Sequence, residues 1–136
     1  MAVEKITKII EGSDGTAPLA QLTMAIQTSS DSIYQSAVNN DELRGMATTT
    51  AVAWIIGDRL FIATVGDSRI YLLRGGQAFQ ISTDHTWLQE AFEAGMVTKG
   101  EFKNHPNAHV IKRFLGSQNP PEVDTRLRIS DDAEQN

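Results

Sequence analysis

Residues 45–76 read GMATTTAVAWIIGDRLFIATVGDSRIYLLRGG, and this stretch decides the fold. It divides into three apolar runs separated by glycine turns. Thr48 to Ile56 is rich in β-branched residues, which suit a pleated, half-buried surface. Gly57-Asp58 is a two-residue hairpin signal. Leu60 to Val65 is almost continuously apolar, as in a strand covered on both faces. Gly66-Asp67-Ser68 turns the chain and sets a carboxylate at the mouth of the turn. Arg69 to Arg74 alternates, and Gly75-Gly76 signals a second tight hairpin, returned by Gln77 to Ile81. The expectation is a meander of four antiparallel strands over 47–82.

Helical periods lie on both sides. Val3, Ile6, Ile9 and Ile10 recur at helical spacing near the N-terminus. Gly12-Ser13-Asp14-Gly15 breaks that pattern. Pro18 suits the first turn of a second helix, whose stripe is Leu22, Ile26, Ile33 and Ala37. Asn39-Asn40-Asp41 ends it. After Asp84 the period is helical again, with Trp87, Leu88, Ala91 and Phe92 on one face and Gly95 as C-cap. Thr98-Lys99-Gly100-Glu101 matches a capping box. Pro106 is expected to open a last helical turn through Val110, Ile111 and Phe114. Glu122 to Ile129 alternates as a strand, and 131–136 is a polar tail.

Composition narrows the function. The chain has 136 residues, 40% of them apolar, enough for one domain with a core. The formal net charge is -5, and the twelve lysines and arginines form no run. That opposes a nucleic-acid partner, which needs a basic patch. No cysteine is present, so disulfides, thiolate catalysis and cysteine-based zinc sites are excluded. The apolar run Ala51 to Ile56 is too short to cross a bilayer, and Glu4, Lys5 and Lys8 interrupt any signal-peptide core. A cytoplasmic protein without a membrane partner is expected.

Few residues offer chemistry. Asp67, at a strand end beside Gly66, can point a hard oxygen ligand at Mg²⁺ or Mn²⁺, or can bond its own backbone in the turn. Asp84 is expected to cap the helix that follows it. His85 has a side chain that titrates near neutrality, suited to acid–base work, or is an exposed first-turn histidine. His105 and His109 stand four apart; on a helix opened by Pro106 they would lie one turn apart, as a metal pair does. Neither cysteine nor a third ligand is near them in sequence. No nucleophile elbow, phosphate-cradling loop or dinucleotide fingerprint is present.

The segments in their order are GMATTT at 45–50, IATVGDSRIYLLRGG at 62–76, ISTDHTW at 81–87, EAGMVT at 93–98, NHP at 104–106 and VIKRFLG at 110–116. This series resembles the bacterial form of the metal-dependent protein phosphatase 2C (PPM) family over about residues 1–130. GDSR alone is common; GDSR between GM-x-TT and T-x-DH-[ST]-W is specific. The resemblance implies an α+β fold, a sandwich of two antiparallel β-sheets flanked by helices. It also implies a protein serine/threonine phosphatase, in which a pair of Mg²⁺ or Mn²⁺ ions activates a water that attacks phosphoserine or phosphothreonine directly. Two such ions lower a water pKa and clamp the phosphoryl oxygens. Asp67 matches the aspartate that helps hold a third, weaker metal. Residues 84–116 match the flap beside the active site, with His105 at a flap histidine position and Asp84 and His85 at its start.

The sequence also departs from the family pattern. The N-terminal Arg and Asp motif and the Asp-Gly-x-Gly-Gly loop, whose aspartate bridges both ions, are not in it; both belong before the first helix. The Asp-Gly and Asp-Asn motifs that complete the metal site belong after the strand at 122–129. Ala47 stands where the family has glycine. The expectation is a domain truncated at both ends, inactive by itself, with sheet edges open to a complementary chain or a second copy. The alternative is a non-catalytic regulatory or protein-binding module on the same fold.

Overall fold

A computed structural model describes residues 1–102, 105–107 and 110–129. The elements run α1 (Ala2–Glu11), α2 (Pro18–Asn39), a 3₁₀ turn (Asp41–Leu43), β1 (Thr50–Ile56), β2 (Arg59–Val65), β3 (Tyr71–Arg74), β4 (Gln77–Gln80), α3 (Trp87–Glu93), a second 3₁₀ turn (Lys99–Glu101) and β5 (Asp124–Ile129). The polar tail at 131–136 lies outside the described residues. The fold is α+β, with antiparallel sheets.

The two N-terminal helices form as their periods require. Pro18 occupies the first turn of α2, where its missing N–H costs nothing. Ahead of it the Asp14 carboxylate accepts from Thr16 N–H (3.1 Å), Thr16 Oγ1 (2.8 Å) and Gln21 Nε2 (2.8 Å). These bonds, those from Thr16 foremost, hold Asp14 below the usual carboxylate range. Leu22, Ala25, Ile26, Ser29, Ser30 and Ile33 are the buried residues of α2. Their spacing of three and four makes one stripe along the helix. Ser29 Oγ donates back to Ala25 O (2.8 Å), and Ser30 Oγ accepts from Gly116 N–H (2.9 Å). Buried hydroxyls are thereby satisfied.

That stripe packs with Ile6 of α1 on one face of a three-stranded sheet of order β1-β2-β5. Phe61, Ala63 and Val65 of β2 enter the core, with Val52 and Trp54 of β1 at its margin. Antiparallel pairing sets Val52 opposite Ala63 and Trp54 opposite Phe61, so these side chains share the helix-facing side. Ile62 and Thr64, on the other face, are buried too. The expectation that Leu60 to Val65 is a strand covered on both faces holds for all but its first residue.

The four-strand meander does not form. β2 pairs with β1 on one side and with β5 on the other, Ala63 opposite Thr125, while β3 and β4 make a separate hairpin. Gly66, at φ +106°, turns the chain off the sheet at the end of β2. The place beside β2 is then free for β5, some sixty residues on. Both glycine-based hairpins turn where expected: Ile56 pairs with Arg59, and Arg74 with Gln77.

After β4 the structure corrects two further expectations. Thr86, not Asp84, caps α3: its Oγ1 accepts from Gln89 N–H (3.1 Å). The helix ends in a Schellman motif, with Met96 N–H to Ala91 O (2.8 Å), Gly95 N–H to Phe92 O (3.0 Å) and Gly95 at φ +76°. The capping box of Thr98 and Glu101 is formed. Phe92 meets Phe102 edge-on at 6.0 Å, and Lys99 Nζ lies 5.3 Å above the Phe92 ring, so the part-buried rings of Phe92 and Phe102 cluster with Lys99 at the end of α3. The helical turn expected after Pro106 is not found among the described residues. Residues 110–115 run extended instead. Trp87 N–H donates to Val110 O (3.0 Å), Lys112 N–H to His85 O (2.8 Å) and Leu115 N–H to Thr48 O (2.7 Å). Long-range partners for these amides, and the burial of Leu115 in the core, outweigh the local helical spacing.

Candidate functional site

The site is assembled around the turn at 66–69, where β2 ends. Gly66 is buried, and its neighbours leave no room for a side chain: a Cβ there would lie 2.2 Å from Thr49 Cγ2. Segment 81–85 runs alongside and grips the turn at several points. Ile81 N–H donates to Ile70 O (3.0 Å), and Ile70 N–H donates to Ser82 Oγ (2.9 Å). His85 N–H donates to Gly66 O (2.9 Å), and Gly66 N–H donates to His85 Nδ1 (3.0 Å). From the other side, Thr49 Oγ1 and Ser68 Oγ share a hydrogen bond of 2.6 Å. Asp67 is exposed at the apex, and none of these bonds ends on its carboxylate.

Asp84 is an ion-pair partner. Arg69 Nη2 reaches Asp84 Oδ2 at 2.6 Å, and Arg69 Nε reaches Oδ1 at 3.0 Å. Gln80 Nε2 adds a bond to Oδ1 (3.2 Å), and Arg69 Nη1 donates to the Tyr71 hydroxyl (3.1 Å). The two-point geometry suits a guanidinium and a carboxylate. Asp84 is the main cause of a guanidinium pKa raised above its ordinary value at Arg69. The GDSR and T-x-DH segments are thus bound to each other by Arg69–Asp84 and Gly66–His85.

His85 is not the exposed first-turn residue that the sequence allowed; it is 5% exposed. Its Nε2 lies 3.7 Å from Asp124 Oδ2, close enough for electrostatic attraction and too long for a good hydrogen bond. Arg126 Nη2 reaches Asp124 Oδ2 at 3.2 Å and also donates to Thr83 Oγ1. His85 first, and Arg126 after it, hold the Asp124 carboxyl below its usual range against the opposing effect of partial burial. The folded-state pKa of Asp124 is therefore lower than the unfolded value of about 3.9. Its contribution to stability is complete above the unfolded pKa and is lost as pH falls through the folded one. Asp124→Asn is expected to cost about 1 kcal/mol or less at pH 7, because the pair is partly exposed. Urea unfolding of both forms at pH 7 and pH 3 checks this: the difference should shrink at pH 3.

A polar cleft of about 300 Å³ lies beside these residues. The carboxylates Asp84, Glu90, Glu93, Glu122 and Asp124 line it, with Arg113 and Arg126. Each arginine is already paired, Arg113 with Glu122 (3.5 Å) and Arg126 with Asp124. Asp67 is not in the lining. His105 is apart from it as well: its ring lies against Trp87 at 4.9 Å, and its Nδ1 accepts from Asn107 N–H (3.0 Å). His109 lies outside the described residues, so the histidine pair cannot be placed. Among the described residues no three His, Asp or Glu side chains gather in a group that could hold a metal ion. Asp67 presents a single carboxylate, and the donor set does not fit a two-metal centre.

Sequence reasoning missed Asp124, Ser82 and the Thr49–Ser68 pair. Only the alternation of β5 bore on Asp124, and it does not say that β5 lies beside β2.

Comparison with known proteins agrees with this geometry. The family model for protein phosphatase 2C matches residues 2–91. The serine/threonine phosphatase stp of Listeria welshimeri is 36% identical over 104 residues, which are 76% of this chain and 41% of that protein. A crystal structure of a bacterial serine phosphatase bearing an R161K mutation superposes with a TM-score of 0.85 at 25% identity, over 94% of this chain and 53% of that one. The catalytic domain of serine threonine protein phosphatase PstP, in complex with two manganese ions, superposes with a TM-score of 0.72 at 31% identity, over 93% of this chain and 53% of that one. The chain thus spans roughly half, or less, of the length of these relatives. With the family model matching residues 2–91, about two thirds of its length, this chain belongs to the protein phosphatase 2C family.

Proposed function

We propose that this chain is the central segment of a protein serine/threonine phosphatase domain acting on phosphoserine and phosphothreonine proteins in the cytoplasm. One observation carries the reading: Asp67 stands exposed just beyond a strand buried from Phe61 to Val65, on a turn held from both sides. A carboxylate so presented serves as an outer oxygen ligand for Mg²⁺ or Mn²⁺ when the rest of a site is supplied. The flap supports the same reading, since α3 and its capped extension form a small folded unit beside the cleft. In this reading the chain contributes scaffold, flap and one outer ligand, and no hydrolytic step is completed by its own residues. A lone carboxylate binds Mg²⁺ poorly, because the ion gives up its water reluctantly.

The 136-residue chain is accordingly expected to release no p-nitrophenol from p-nitrophenyl phosphate with Mn²⁺ above the protein-free rate. Turnover that needs Mn²⁺ and stops on chelation would show that the metal site is complete after all. A phosphothreonine peptide assayed in parallel separates the alternative. Saturable binding without phosphate release would favour a regulatory or protein-binding module.

A further inference from the structure

We infer that His85 is a positioning residue that fixes the Gly66–Asp67–Ser68 turn through its Nδ1; this rests on reading Asp67 as the site carboxylate. The ladder of β2 ends at Val65, so the buried N–H of Gly66 has no strand partner. A buried amide must be paired, and His85 Nδ1 is the acceptor, at 3.0 Å. The main chain repeats the link in the opposite sense, His85 N–H to Gly66 O at 2.9 Å. A third bond, from Lys112 N–H to His85 O at 2.8 Å, ties the same residue to the extended segment behind it. His85 thus joins the end of β2, the start of the flap and residues 110–115 in one place. No side chain on residue 66 itself could do so, since Thr49 fills the space where its Cβ would stand.

The ring's Nδ1 is taken up by this structural task. An amide donor at Nδ1 occupies that lone pair, so the ring proton belongs on Nε2. Nε2 lies 3.7 Å from Asp124 Oδ2, at the wall of the polar cleft that both residues help to line. A general base must aim a free lone pair, and a general acid an N–H, at the reacting group. Here Nδ1 has no free lone pair to offer, because the Gly66 amide occupies it, and Nε2 has the Asp124 carboxylate as its nearest charged neighbour.

The tautomer and the turn can be read separately by NMR. The side-chain ¹⁵N spectrum of wild-type chain is expected to show His85 protonated at Nε2 and not at Nδ1; protonation at Nδ1 would overturn the inference. Asparagine places an acceptor near the position of Nδ1, whereas glutamine reaches toward that of Nε2. His85→Asn is therefore expected to keep the Gly66 amide protected from exchange. His85→Gln is expected to speed its exchange about tenfold or more, with the Ile62 amide in the centre of β2 unchanged. Equal Gly66 protection in the two variants would also overturn it. The Asn and Gln pair carries this test even where His85→Ala does not fold. Broadening of the Asp67 resonances by added Mn²⁺ in wild type tests the carboxylate reading by itself, because the Gly66 exchange experiment contains no metal.

Discussion

Gly66→Ala should destabilise the chain by roughly 2–6 kcal/mol. Two causes combine. The backbone at residue 66 sits at φ +106°, a conformation that L side chains rarely adopt. The added Cβ would also lie 2.2 Å from Thr49 Cγ2, 2.6 Å from Thr49 Cβ and 3.2 Å from Arg113 O. Thr49 cannot swing away freely: it is β-branched, and its hydroxyl is bonded to Ser68 at 2.6 Å. Relief therefore requires movement of the turn that carries Asp67. Gly75→Ala is the control. Its φ is +58°, but a Cβ there meets nothing within 4 Å, so only backbone strain of about 1 kcal/mol is expected. Urea unfolding at pH 7 compares the two. A Gly66→Ala midpoint as close to wild type as that of Gly75→Ala would show that the turn is looser than its contacts indicate.

Leu22→Ala should cost about 2–5 kcal/mol. Leu22 is 0% exposed, near the start of the stripe along α2, and belongs to the cluster that includes Ile6, Ile26 and Phe61. The helices and the sheet meet there, so the cavity left by truncation is walled by two rigid elements and closes poorly. A small domain has about 5–15 kcal/mol in total, so the variant retains a thin margin at best. Met24, two residues on, is 66% exposed, and Met24→Ala should change stability by about 0.5 kcal/mol or less. Thermal unfolding of the pair separates packing from helix propensity, since both changes put alanine into the same helix. Equal melting temperatures would place Leu22 outside the working core.

The strands and helices of the first hundred residues were legible because their signals are local. Leu22, Ile26 and Ile33 recur at helical spacing and are buried. Gly57-Asp58 and Gly75-Gly76 turn where two-residue hairpins should. Thr98 and Glu101 form their capping box. The failures share one physical origin, a local signal met by a stronger distant partner. Val110, Ile111 and Phe114 have helical spacing, yet their segment gives its backbone bonds to Thr48, His85 and Trp87. Asp84 is placed for capping, but Arg69 offers a charged two-point partner and Thr86 takes the cap. The meander failed because no short-range signal tells β2 that β5, rather than β3, is its second neighbour.

The sequence by itself determined the family, the helix pair, the hairpins and the carboxylate at the strand end. Those features depend on residue type and spacing within a few positions, where propensity and turn chemistry act. The tertiary structure alone decided what holds that carboxylate. Gly66 and His85 are nineteen residues apart, and Asp124 follows a further thirty-nine on. A hydrogen bond forms wherever folding brings a donor and an acceptor within about 3 Å, and the linear order of residues does not encode that distance.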